Sequence, residues 1–346
     1  MFVIYPRVAI IILNWNGWKD TIECLESLYQ ITYPNYSVIL VDNGSKDDSL
    51  EQIRDYSAGE IKVESSFFDY NLKNKPIKII EYSREETETY NYTIDEIESI
   101  PSNQKLILIK NEKNYGFAEG NNIGIRFSLT RINPDYILLL NNDTVVEDCF
   151  LEYLVEQMEN NEKIGFCSPK IYYYVYDGKR NVINFAGGRI DMFRGISSHI
   201  GVNTTDVGQY DLNKEVDWAE GSCMVVRRKT IEKVGLLDSK YFAYWEELDW
   251  CMQGKKYGWQ SWYIPEAKIW HKIARSTEKM SGLSHYYMTR NRIFFMRKNS
   301  KKLNFFVFVV YFFGVDFLKQ VGILIIKRDL KIFNCFLRAV MNGFYH

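Results

Sequence analysis

The residues with the clearest chemistry lie at 137–144, where four apolar residues are followed by two amides, a carboxylate and a hydroxyl. A short, uncharged apolar run is typical of a strand that is buried on both faces. Ligands of open α/β sheets bind beyond the carboxyl ends of the strands, so Asp143, beside Asn142, could meet a divalent cation and a diphosphate there. The same residue types also favour helix starts, and they could simply cap a helix that we expect at 147–158.

A second chemical cluster consists of three acids, Glu246, Glu247 and Asp249. They open a helix that we expect to end near Tyr257, before Gly258. Carboxylates in a first helical turn are stabilised by the helix dipole, which is a sufficient structural reason for their presence. A carboxylate in such a position can also remove a proton from an attacking hydroxyl group. The sequence leaves both interpretations open.

Two earlier strands, expected at 8–13 and 37–41, flank a helix expected at 18–29, which is the βαβ pattern of a parallel sheet. Polar residues follow these strands at their carboxyl ends: Asn14, Asn16, Asp42 and Asn43. A carboxylate accepts a hydrogen bond from the imide N–H of uracil or thymine, so Asp42 could read a nucleotide base. The alternative is an ordinary Asp-Asn-Gly turn.

A further strand, expected at 106–109, leads into a segment that contains Asn114, Gly116 and Asn121. Glycine permits close approach of the backbone to a ligand, and a helix expected at 118–129 would direct its amino-terminal N–H groups toward the same crevice. The segment does not match G-x-G-x-x-G, and the sequence contains no G-x-x-x-x-G-K-[ST] motif. These two phosphate-binding fingerprints are therefore excluded.

Composition limits the class of protein further. The 346 residues are 46% hydrophobic and 25% charged, which is ordinary for a folded protein and argues against disorder. The formal net charge of −1 provides no field that would recruit nucleic acid. The six cysteines form no C-x-x-C pair, which excludes the usual zinc and disulfide frameworks. No secretory signal pattern opens the chain, so we expect a reducing, cytoplasmic location.

Two regions depart from the alternation of strands and helices. Residues from about 60 to 105 carry dense charge without sustained periodicity, and we expect an insertion that forms a hairpin with a loop. The chain beyond residue 280 is rich in helix-forming patterns. We therefore expect a main domain at 1–280 and a helical region at 281–346.

The apolar part of this helical region is interrupted too soon for the roughly 20 apolar residues of a spanning helix, so we expect no transmembrane segment. The interruptions are Gly314, Asp316, Lys319 and Gln320. Basic residues flank the stretch: Arg297, Lys298, Lys301, Lys302, Lys327 and Arg328. Such flanks favour peripheral contact with an anionic membrane interface, and a homodimer contact is the alternative.

A set of short motifs occurs in a fixed order between about residues 7 and 300: Asn14-Trp15-Asn16, Val41-Asp42-Asn43-Gly44-Ser45, Asn114-Tyr115-Gly116-Phe117-Ala118, Leu140-Asn141-Asn142-Asp143, Trp218-Ala219-Glu220-Gly221-Ser222, Tyr244-Trp245-Glu246-Glu247-Leu248-Asp249, and His271 followed by Ser276. The ordered set resembles the family 2 glycosyltransferases. The likeness is greatest to the rhamnosyltransferase-like members, which build bacterial and archaeal surface polysaccharides.

This resemblance implies an α/β fold of the GT-A type, a Rossmann-like nucleotide-diphospho-sugar transferase sandwich, with a mostly helical carboxyl-terminal extension. It implies that Asp143 and His271 hold a divalent metal, Mg2+ or Mn2+. It also implies that Glu247 is the catalytic base within the acidic motif Glu246, Glu247 and Asp249, with Glu246 as the alternative. The nucleotide would be bound by Asn14, Asn16, Asp42, Asn43, Asn114, Gly116, Asn121 and Asn142. The donor or acceptor sugar would contact Glu220, Gly221, Ser222 and Trp245.

We therefore expect an inverting glycosyltransferase that moves a sugar from a UDP or dTDP sugar to an acceptor hydroxyl in cell-surface polysaccharide or glycolipid synthesis. The acceptor would be a saccharide or a lipid-linked saccharide at the inner face of the cell membrane. The alternative is a non-catalytic carbohydrate-binding or scaffold protein that keeps the fold. A nucleotidyltransferase would need a glycine-rich, basic phosphate loop after the first strand, and Asn14-Trp15-Asn16-Gly17 does not supply one.

Overall fold

The computed structural model describes residues 5–89, 99–273 and 281–345, so Ser276 and part of the expected insertion lie outside the described residues. The strands are β1 (Val8–Asn14), β2 (Tyr36–Asp42), β3 (Lys78–Ser83), β4 (Lys105–Lys110), β5 (Tyr136–Asn141), β6 (Thr144–Val146), β7 (Ile164–Tyr173), β8 (Val182–Phe185), β9 (Gly188–Asp191), β10 (Ile196–His199), β11 (Thr204–Thr205), β12 (Lys214–Val216), β13 (Cys223–Arg227) and β14 (Gln260–His271). The helices are α1 (Trp18–Leu28), α2 (Ser49–Ala58), α3 (Arg84–Glu88), α4 (Gly116–Phe127), α5 (Phe150–Asn160), α6 (Arg228–Val234), α7 (Glu246–Lys256), α8 (Ser281–Asn299), α9 (Lys302–Tyr311), α10 (Leu318–Lys327) and α11 (Leu330–Tyr345).

A mixed sheet forms the centre of the fold, with strands in the order β11-β8-β7-β13-β5-β1-β2-β4-β3. The part from β5 to β3 is parallel, whereas β13 runs antiparallel to both β5 and β7. Strand β14 lies off this path and pairs with β7, β6 and β12. Strands β9 and β10 form a separate antiparallel pair.

The parallel part of the sheet is buried because its strands are almost wholly apolar. Ile10, Ile39, Leu108 and Leu139 have essentially no exposed surface, and α4 packs against β1 and β2. Parallel strands buried on both faces appear in sequence as continuous apolar runs, which is why these strands could be recognised. The structure confirms the strands expected at 8–13, 37–41, 106–109 and 137–140.

The parallel register brings several strand ends to one edge. Asn14 pairs with Asp42 across β1 and β2, and Leu13 pairs with Asn141 across β1 and β5. The polar side chains that follow these strands therefore share one crevice, which is where the site is built.

The hairpin expected within residues 60–105 is wrong for the described part of that segment. Strand β3 pairs in parallel with β4 at the edge of the sheet, and parallel neighbours cannot be joined by a hairpin turn. The strand mixes exposed Lys78 and Glu81 with half-buried Ile79 and Ile80, as an edge strand can. Its apolar run is consequently too short to stand out in the sequence.

The helix expected at 147–158 is present as α5 but begins three residues later, and a short strand, β6, precedes it. Strand β6 pairs with β14, and α5 begins only at Phe150. Thr144, Val145 and Val146 are β-branched, which favours extended backbone over helix. Because β6 begins immediately after Asp143, this pairing fixes Asp143 against the carboxyl end of β14.

The helical region is less interrupted than expected. Residues Lys302–Lys327 form one helix through a π-helical turn at Phe312–Phe317, and by length and composition it could cross a membrane. Only 11% of its most apolar window is buried. Asp316 does not break it, because the carboxylate is paired with Arg292 at 2.6 Å. The expectation that this apolar stretch is interrupted too soon for a spanning helix is therefore wrong. Length and composition alone do not distinguish a spanning helix from an interfacial one.

Candidate active site

Asn14 ends β1 with a buried amide that joins three elements. Its Nδ2 donates to Asp42 Oδ1 at 2.8 Å and to Ser45 Oγ at 3.1 Å, and its Oδ1 accepts from the Thr21 hydroxyl of α1 at 2.9 Å. Asp42 is 2% exposed and also accepts from the Ser45 N–H and hydroxyl. The carboxylate of Asp42 thus shapes the loop after β2, and its contact with a nucleotide base stays a prediction.

Asn16 shapes the same loop from the β1 side. Its φ is 52°, and its Oδ1 accepts from the backbone N–H groups of Lys46 at 2.7 Å and Asp47 at 3.3 Å. Asparagine tolerates this left-handed conformation better than most residues do. The exposed Asn16 therefore fixes the relative position of the β1 and β2 loops at the mouth of the crevice.

Asn43 joins the ends of β2 and β4. Its Nδ2 donates to Asn114 Oδ1 at 3.0 Å and to the Gly116 carbonyl at 3.1 Å. Its Oδ1 accepts from Asn111 Nδ2 and from the Tyr115 N–H, both at 3.1 Å. Two donated and two accepted hydrogen bonds use the capacity of a side-chain amide. Asn43 therefore joins the loop after β2 to the loop after β4, and the nucleotide contact that the resemblance implied for it stays a prediction.

The amino terminus of α4 faces protein, contrary to expectation. The N–H groups of Phe117 and Ala118 donate to the carbonyl oxygen of Phe242 at 2.5 and 3.2 Å. Gly116 has a φ of 82°, and a Cβ atom there would lie 2.5 Å from Phe242. Asn121 donates to its own helix, at the Phe117 carbonyl. The expectation that these N–H groups face an open crevice is wrong, because the segment before Glu246 already occupies them.

Asp143 and His271 meet where β6 and β14 pair. Asp143 Oδ1 lies 3.0 Å from His271 Nε2, although the two residues are 128 positions apart. The Lys272 N–H donates to the Asp143 carbonyl at 2.9 Å. Asn142 Nδ2 donates to Thr21 Oγ1 at 2.9 Å, which ties this turn to α1. The two residues implied as metal ligands are therefore adjacent, at the edge that also carries Asn14.

The Asp143–His271 pair is stabilised in its charged form. Burial of both side chains opposes their ionisation. For each residue, the charge and the hydrogen bond of the other residue outweigh this effect of burial. The pKa of Asp143 is consequently lowered and the pKa of His271 is raised. The buried Nδ1 of His271 has no hydrogen-bond partner among the described residues.

The chemistry of this pair fits a divalent cation. A carboxylate oxygen and an imidazole nitrogen are suitable ligands, and 3.0 Å is about the separation of neighbouring ligands on an octahedral ion with bonds of about 2.1 Å. Within the described residues there is no group of three or more His, Cys, Asp or Glu side chains that could hold a metal. Substrate oxygens and water would have to complete the coordination, as Mg2+ commonly accepts.

Lys272 lies beside this pair and was not identified from the sequence. Its Nζ is 2.7 Å from Asp20 Oδ1 and 2.5 Å from Glu23 Oε2, both on α1. The hydroxyl of Tyr174 donates to Glu23 at 2.7 Å. Lys272 and His271 line an open cavity of about 360 Å³ at the ends of β7 and β14. The 252 positions between Lys272 and Asp20 explain why no local pattern indicates this contact.

Glu246 and Glu247 begin α7 with their carboxyl groups in the protein interior. Glu246 is 4% exposed, and one oxygen of each carboxyl group is buried without a hydrogen-bond partner in the described structure. Burial, together with the negative charge of Glu220, raises the pKa of Glu247 to about 7. Burial and the charge of Glu247 raise the pKa of Glu246 well above its ordinary range. A carboxyl group with a pKa near 7 can exchange protons at neutral pH.

Glu220, Gly221 and Ser222 lie beside Glu247 at the start of β13. The Ser222 N–H donates to Glu220 Oε2 at 2.8 Å, and its hydroxyl donates to the same oxygen. A Cβ atom at Gly221 would lie 3.5 Å from the Cβ of Glu247. The charge of Glu220 acts on the pKa of both Glu247 and His271. The acidic cluster and the Asp143–His271 pair therefore share one electrostatic environment.

Asp249 and Trp245 are directed toward the helical region. Asp249 accepts from Lys298 Nζ and from Asn299 Nδ2 of α8, both at 2.7 Å. Trp245 is 5% exposed, and its ring centroid lies 5.0 Å from that of Phe295. These contacts give both residues a structural role, and the catalytic and sugar contacts that the resemblance implied stay predictions.

Two larger cavities lie away from these catalytic candidates. One of about 740 Å³ lies near the amino ends of β1, β2 and β4 and contains none of the expected site residues. The other, a groove of about 490 Å³, lies between Trp245 and the helical region and is lined by Thr289, Arg292, Phe312 and Lys319 among others. Cavity size alone therefore does not locate the chemistry of this fold.

Comparison with solved structures defines the fold class. A mannosyltransferase from Pyrobaculum calidifontis, in complex with GDP-Man and Mn2+, covers 99% of this chain and 85% of its own chain, with a TM-score of 0.52 and 12% identity. The fold is GT-A, as expected. A family model described as glycosyl transferase family 2 matches residues 9–75, and one described as glycosyl transferase family group 2 matches residues 136–290. The two models together match more than half of the chain, and they identify it as a family 2 glycosyltransferase.

Two relatives illustrate this placement. The chain is 29% identical over 176 residues to the low-salt glycan biosynthesis hexosyltransferase Agl10 of Haloferax volcanii, covering 48% of this chain and 52% of the relative. It is 28% identical over 210 residues to the dTDP-rhamnosyl transferase RfbF of Shigella flexneri, covering 57% of this chain and 64% of the relative. The match thus spans between half and two thirds of the length of each relative.

Proposed function

We propose that this protein is an inverting glycosyltransferase that moves a sugar from a UDP or dTDP sugar to an acceptor hydroxyl, in cell-surface polysaccharide or glycolipid synthesis. The position of Glu247 carries the proposal. The pKa of its buried carboxyl group is raised to about 7. The negative charge of Glu220 acts on Glu247 and also on His271, which pairs with Asp143. A base, together with a pair of side chains that can hold a divalent cation for the leaving diphosphate, supports a single displacement at an anomeric carbon.

In the proposed reaction the acceptor hydroxyl attacks the anomeric carbon from the side opposite the diphosphate. A new carbon–oxygen bond forms, the bond to the diphosphate oxygen breaks, and the leaving nucleoside diphosphate keeps the electron pair. Glu247 receives the hydroxyl proton, so the charge balances. One such displacement inverts the anomeric configuration. A base with a pKa near 7 is both ionised in a useful fraction and basic enough to accept the proton.

Asp143 and His271 would hold the divalent cation, Mg2+ or Mn2+, in this proposal. When bound, such an ion neutralises charge that develops on the leaving diphosphate. The position of the pair at the end of β5, beside Asn142 and near Asn14, supports this assignment. The nucleotide would lie over the loops that Asn14, Asn16 and Asn43 organise.

UDP or dTDP with Mg2+ or Mn2+ is expected to raise the melting temperature of the protein more than GDP does. Binding to the folded state stabilises it by about 2.7 kcal/mol at a ligand concentration 100 times the Kd. The measurement is a thermal-shift series with matched nucleotides and metals. Stabilisation by GDP alone would contradict base reading by Asp42.

The matched variant for this experiment is Asp143→Asn, which keeps the shape of the side chain but removes its charge. The metal-dependent part of the nucleotide shift should disappear, while the melting temperature without ligand should fall moderately, because His271 loses its charged partner. A large loss of melting temperature without any change in the ligand shift would instead make Asp143 a structural residue.

The kcat/KM for transfer is expected to rise with pH until about 7 and then to level off. The base must be deprotonated to act, so a pKa raised to about 7 moves the acid limb upward from the ordinary value near 4.3. Two carboxyl groups face Glu247: Glu246 on its own helix and Glu220 from the loop before β13. Glu220→Gln should shift the limb to lower pH, because it removes a negative charge. An acid limb below pH 5 in the unmodified enzyme would exclude Glu247 in this environment.

We place the acceptor, a saccharide or lipid-linked saccharide, at the inner face of the cell membrane. Exposed apolar side chains along the helix at 302–327 support this placement: Leu303, Phe306, Val310, Leu318, Ile325 and Ile326. The groove beside Trp245 lies between this helix and the segment that leads into Glu247. A lipid-linked acceptor could therefore reach the base from the membrane side, whereas a homodimer contact is the alternative for the same apolar surface.

A further inference from the structure

The segment that leads into Glu246 and Glu247 has an unusual backbone. Phe242, Tyr244 and Trp245 have φ values of 65°, 70° and 75°, and none of them is glycine. The Ala243 N–H donates to the Tyr241 carbonyl at 2.8 Å, and the ψ of Phe242 is −59°, which defines a γ-turn of the rare, strained hand. Such a backbone persists only when the surrounding structure holds it in place.

Asn291 of α8 supplies much of that support. Its side chain is fully buried, and its Nδ2 lies 2.9 Å from the Tyr241 carbonyl, 2.7 Å from the Ala243 carbonyl and 2.8 Å from the Tyr244 carbonyl. One amide nitrogen thus contacts three carbonyl oxygens around the strained turn. The orientation of this amide is fixed in turn, because its Oδ1 accepts from Arg290 Nε at 2.8 Å.

Arg290 and Phe242 complete the set of contacts. The Arg290 guanidinium donates to the Lys240 carbonyl at 2.6 Å and to the Tyr241 carbonyl at 2.9 Å. The Phe242 carbonyl accepts from the amino terminus of α4, and the Phe242 ring stacks on Tyr287 of α8 with centroids 4.9 Å apart. Every carbonyl oxygen from residue 240 to residue 244 is therefore bonded either to α8, which lies beyond the expected domain boundary at 280, or to α4.

We propose that Asn291 is a positioning residue for the transfer reaction: it holds the strained segment at 241–244 in the conformation that directs Glu247 toward the acceptor hydroxyl. This inference rests on the proposed function. The same segment caps α4, so Asn291 also fixes the position of Glu247, the proposed catalytic base, relative to the loop that leads into α4. The helix α8 is consequently part of the catalytic unit as well as the support of the helical region.

The chemistry of the contact explains why asparagine stands at this position. Only the amide nitrogen offers two protons to carbonyl oxygens on so short a side chain. Aspartate would have the same shape, but it would set carboxylate oxygens against the three carbonyl groups. Alanine would remove the donors and leave buried carbonyl oxygens without their partner, which a buried backbone group tolerates poorly.

The test compares Asn291→Ala with Asn342→Ala in the full chain. Asn342 is a matched control because its Nδ2 donates to the Tyr286 hydroxyl at 2.7 Å in the same helical region, a bond that involves no carbonyl group of residues 240–244. For Asn291→Ala we expect a loss of about 100-fold in kcat, as a misplaced catalytic group gives, with the KM for the sugar nucleotide changed less than about threefold. Amide hydrogen exchange at 240–247 should become faster. The Asn342 variant should change neither quantity.

Arg290→Gln is the second variant if Asn291→Ala does not fold, since it removes the donors to the 240 and 241 carbonyls and the N–H group that orients the Asn291 amide. The same pattern with a smaller loss of kcat is expected. Unchanged exchange at 240–247 in both variants would overturn the positioning role, and so would unchanged kcat beside faster exchange. Absence of transfer by the unmodified chain with every donor would overturn the proposed function instead, and the exchange result would still show whether Asn291 holds the segment.

Discussion

Replacement of Glu247 by glutamine is expected to lower the rate of glycosyl transfer by about two to four orders of magnitude, the usual contribution of a positioned general base. Glutamine has nearly the same size but cannot accept the hydroxyl proton.

The fold of the Glu247 variant should survive. The pKa of Glu247 is raised to about 7, so ionisation of the buried carboxyl group destabilises the folded state as pH rises towards and through 7. A neutral amide removes that effect. Initial rates above pH 7, with nucleotide binding measured in parallel, test the prediction.

The control is Glu246→Gln. Burial and the charge of Glu247 raise the pKa of Glu246 well above its ordinary range, which favours the neutral form that glutamine resembles. We expect transfer by this variant to fall by no more than about tenfold. Near-normal transfer by the Glu247 variant would move the base to another group. Equal losses in the two variants would show that the carboxyl groups act as a coupled pair.

The central strands could be predicted because the pattern that identifies each of them lies within a few consecutive residues. Strands β1, β2, β4 and β5 are buried on both faces, and continuous apolar runs followed by polar residues mark them in the sequence. The edge strand β3 could not be predicted in this way, since two of its six residues are exposed and three more are only partly buried. Strand β6 is only three residues long, and its partner β14 lies more than 100 positions later in the chain.

The sequence located the site more reliably than it assigned roles. Polar residues at strand ends indicated one crevice, but Asn43 and Asp42 turn much of their hydrogen-bonding capacity to neighbouring loops. Successive residues of a helix are rotated by about 100°, so the side chains of Glu247 and Asp249 point in different directions. The sequence alone could not show that Asp249 faces α8. Lys272 and Asn291 act through partners that lie 252 and 47 positions away, and only the folded chain reveals them.

The helical region has an exposed apolar face and an inner face that covers α8. Ile293, Phe295 and Met296 of α8 are fully buried, so truncation after about residue 300 would uncover core side chains. Two of the expected basic flanks are exposed but already bonded to protein groups: Arg297 donates to the Phe344 carbonyl, and Lys298 pairs with Asp238 and Asp249. The other four are exposed near the ends of the helix at 302–327: Lys301, Lys302, Lys327 and Arg328. Point substitutions on the outer face are therefore the cleaner test of membrane contact.

The double variant Phe306→Glu, Ile326→Glu is expected to bind anionic phospholipid vesicles at least about 100-fold more weakly than the unmodified protein. The two side chains are 66% and 83% exposed, so their replacement should leave the core intact. Burial of an apolar side chain of this size is worth about 1.5–3 kcal/mol, and the loss of two such contributions exceeds two orders of magnitude in binding. Exposed basic residues add about 1 kcal/mol each near an anionic surface, so binding should also weaken with salt. Cosedimentation with vesicles of graded phosphatidylserine content measures both effects.

The matched control is Val207→Glu, Leu212→Glu, which adds the same charge at side chains that are 82% and 81% exposed outside the helical region. This control should leave vesicle binding almost unchanged, because the proposed contact depends on where the apolar surface lies and not on its total amount. Binding that ignores lipid charge and salt would remove the basic residues from the explanation and would favour a helix that spans the bilayer. Loss of a dimer in analytical ultracentrifugation, without any change in vesicle binding, would instead assign the outer face of the helix at 302–327 to a second copy of the chain.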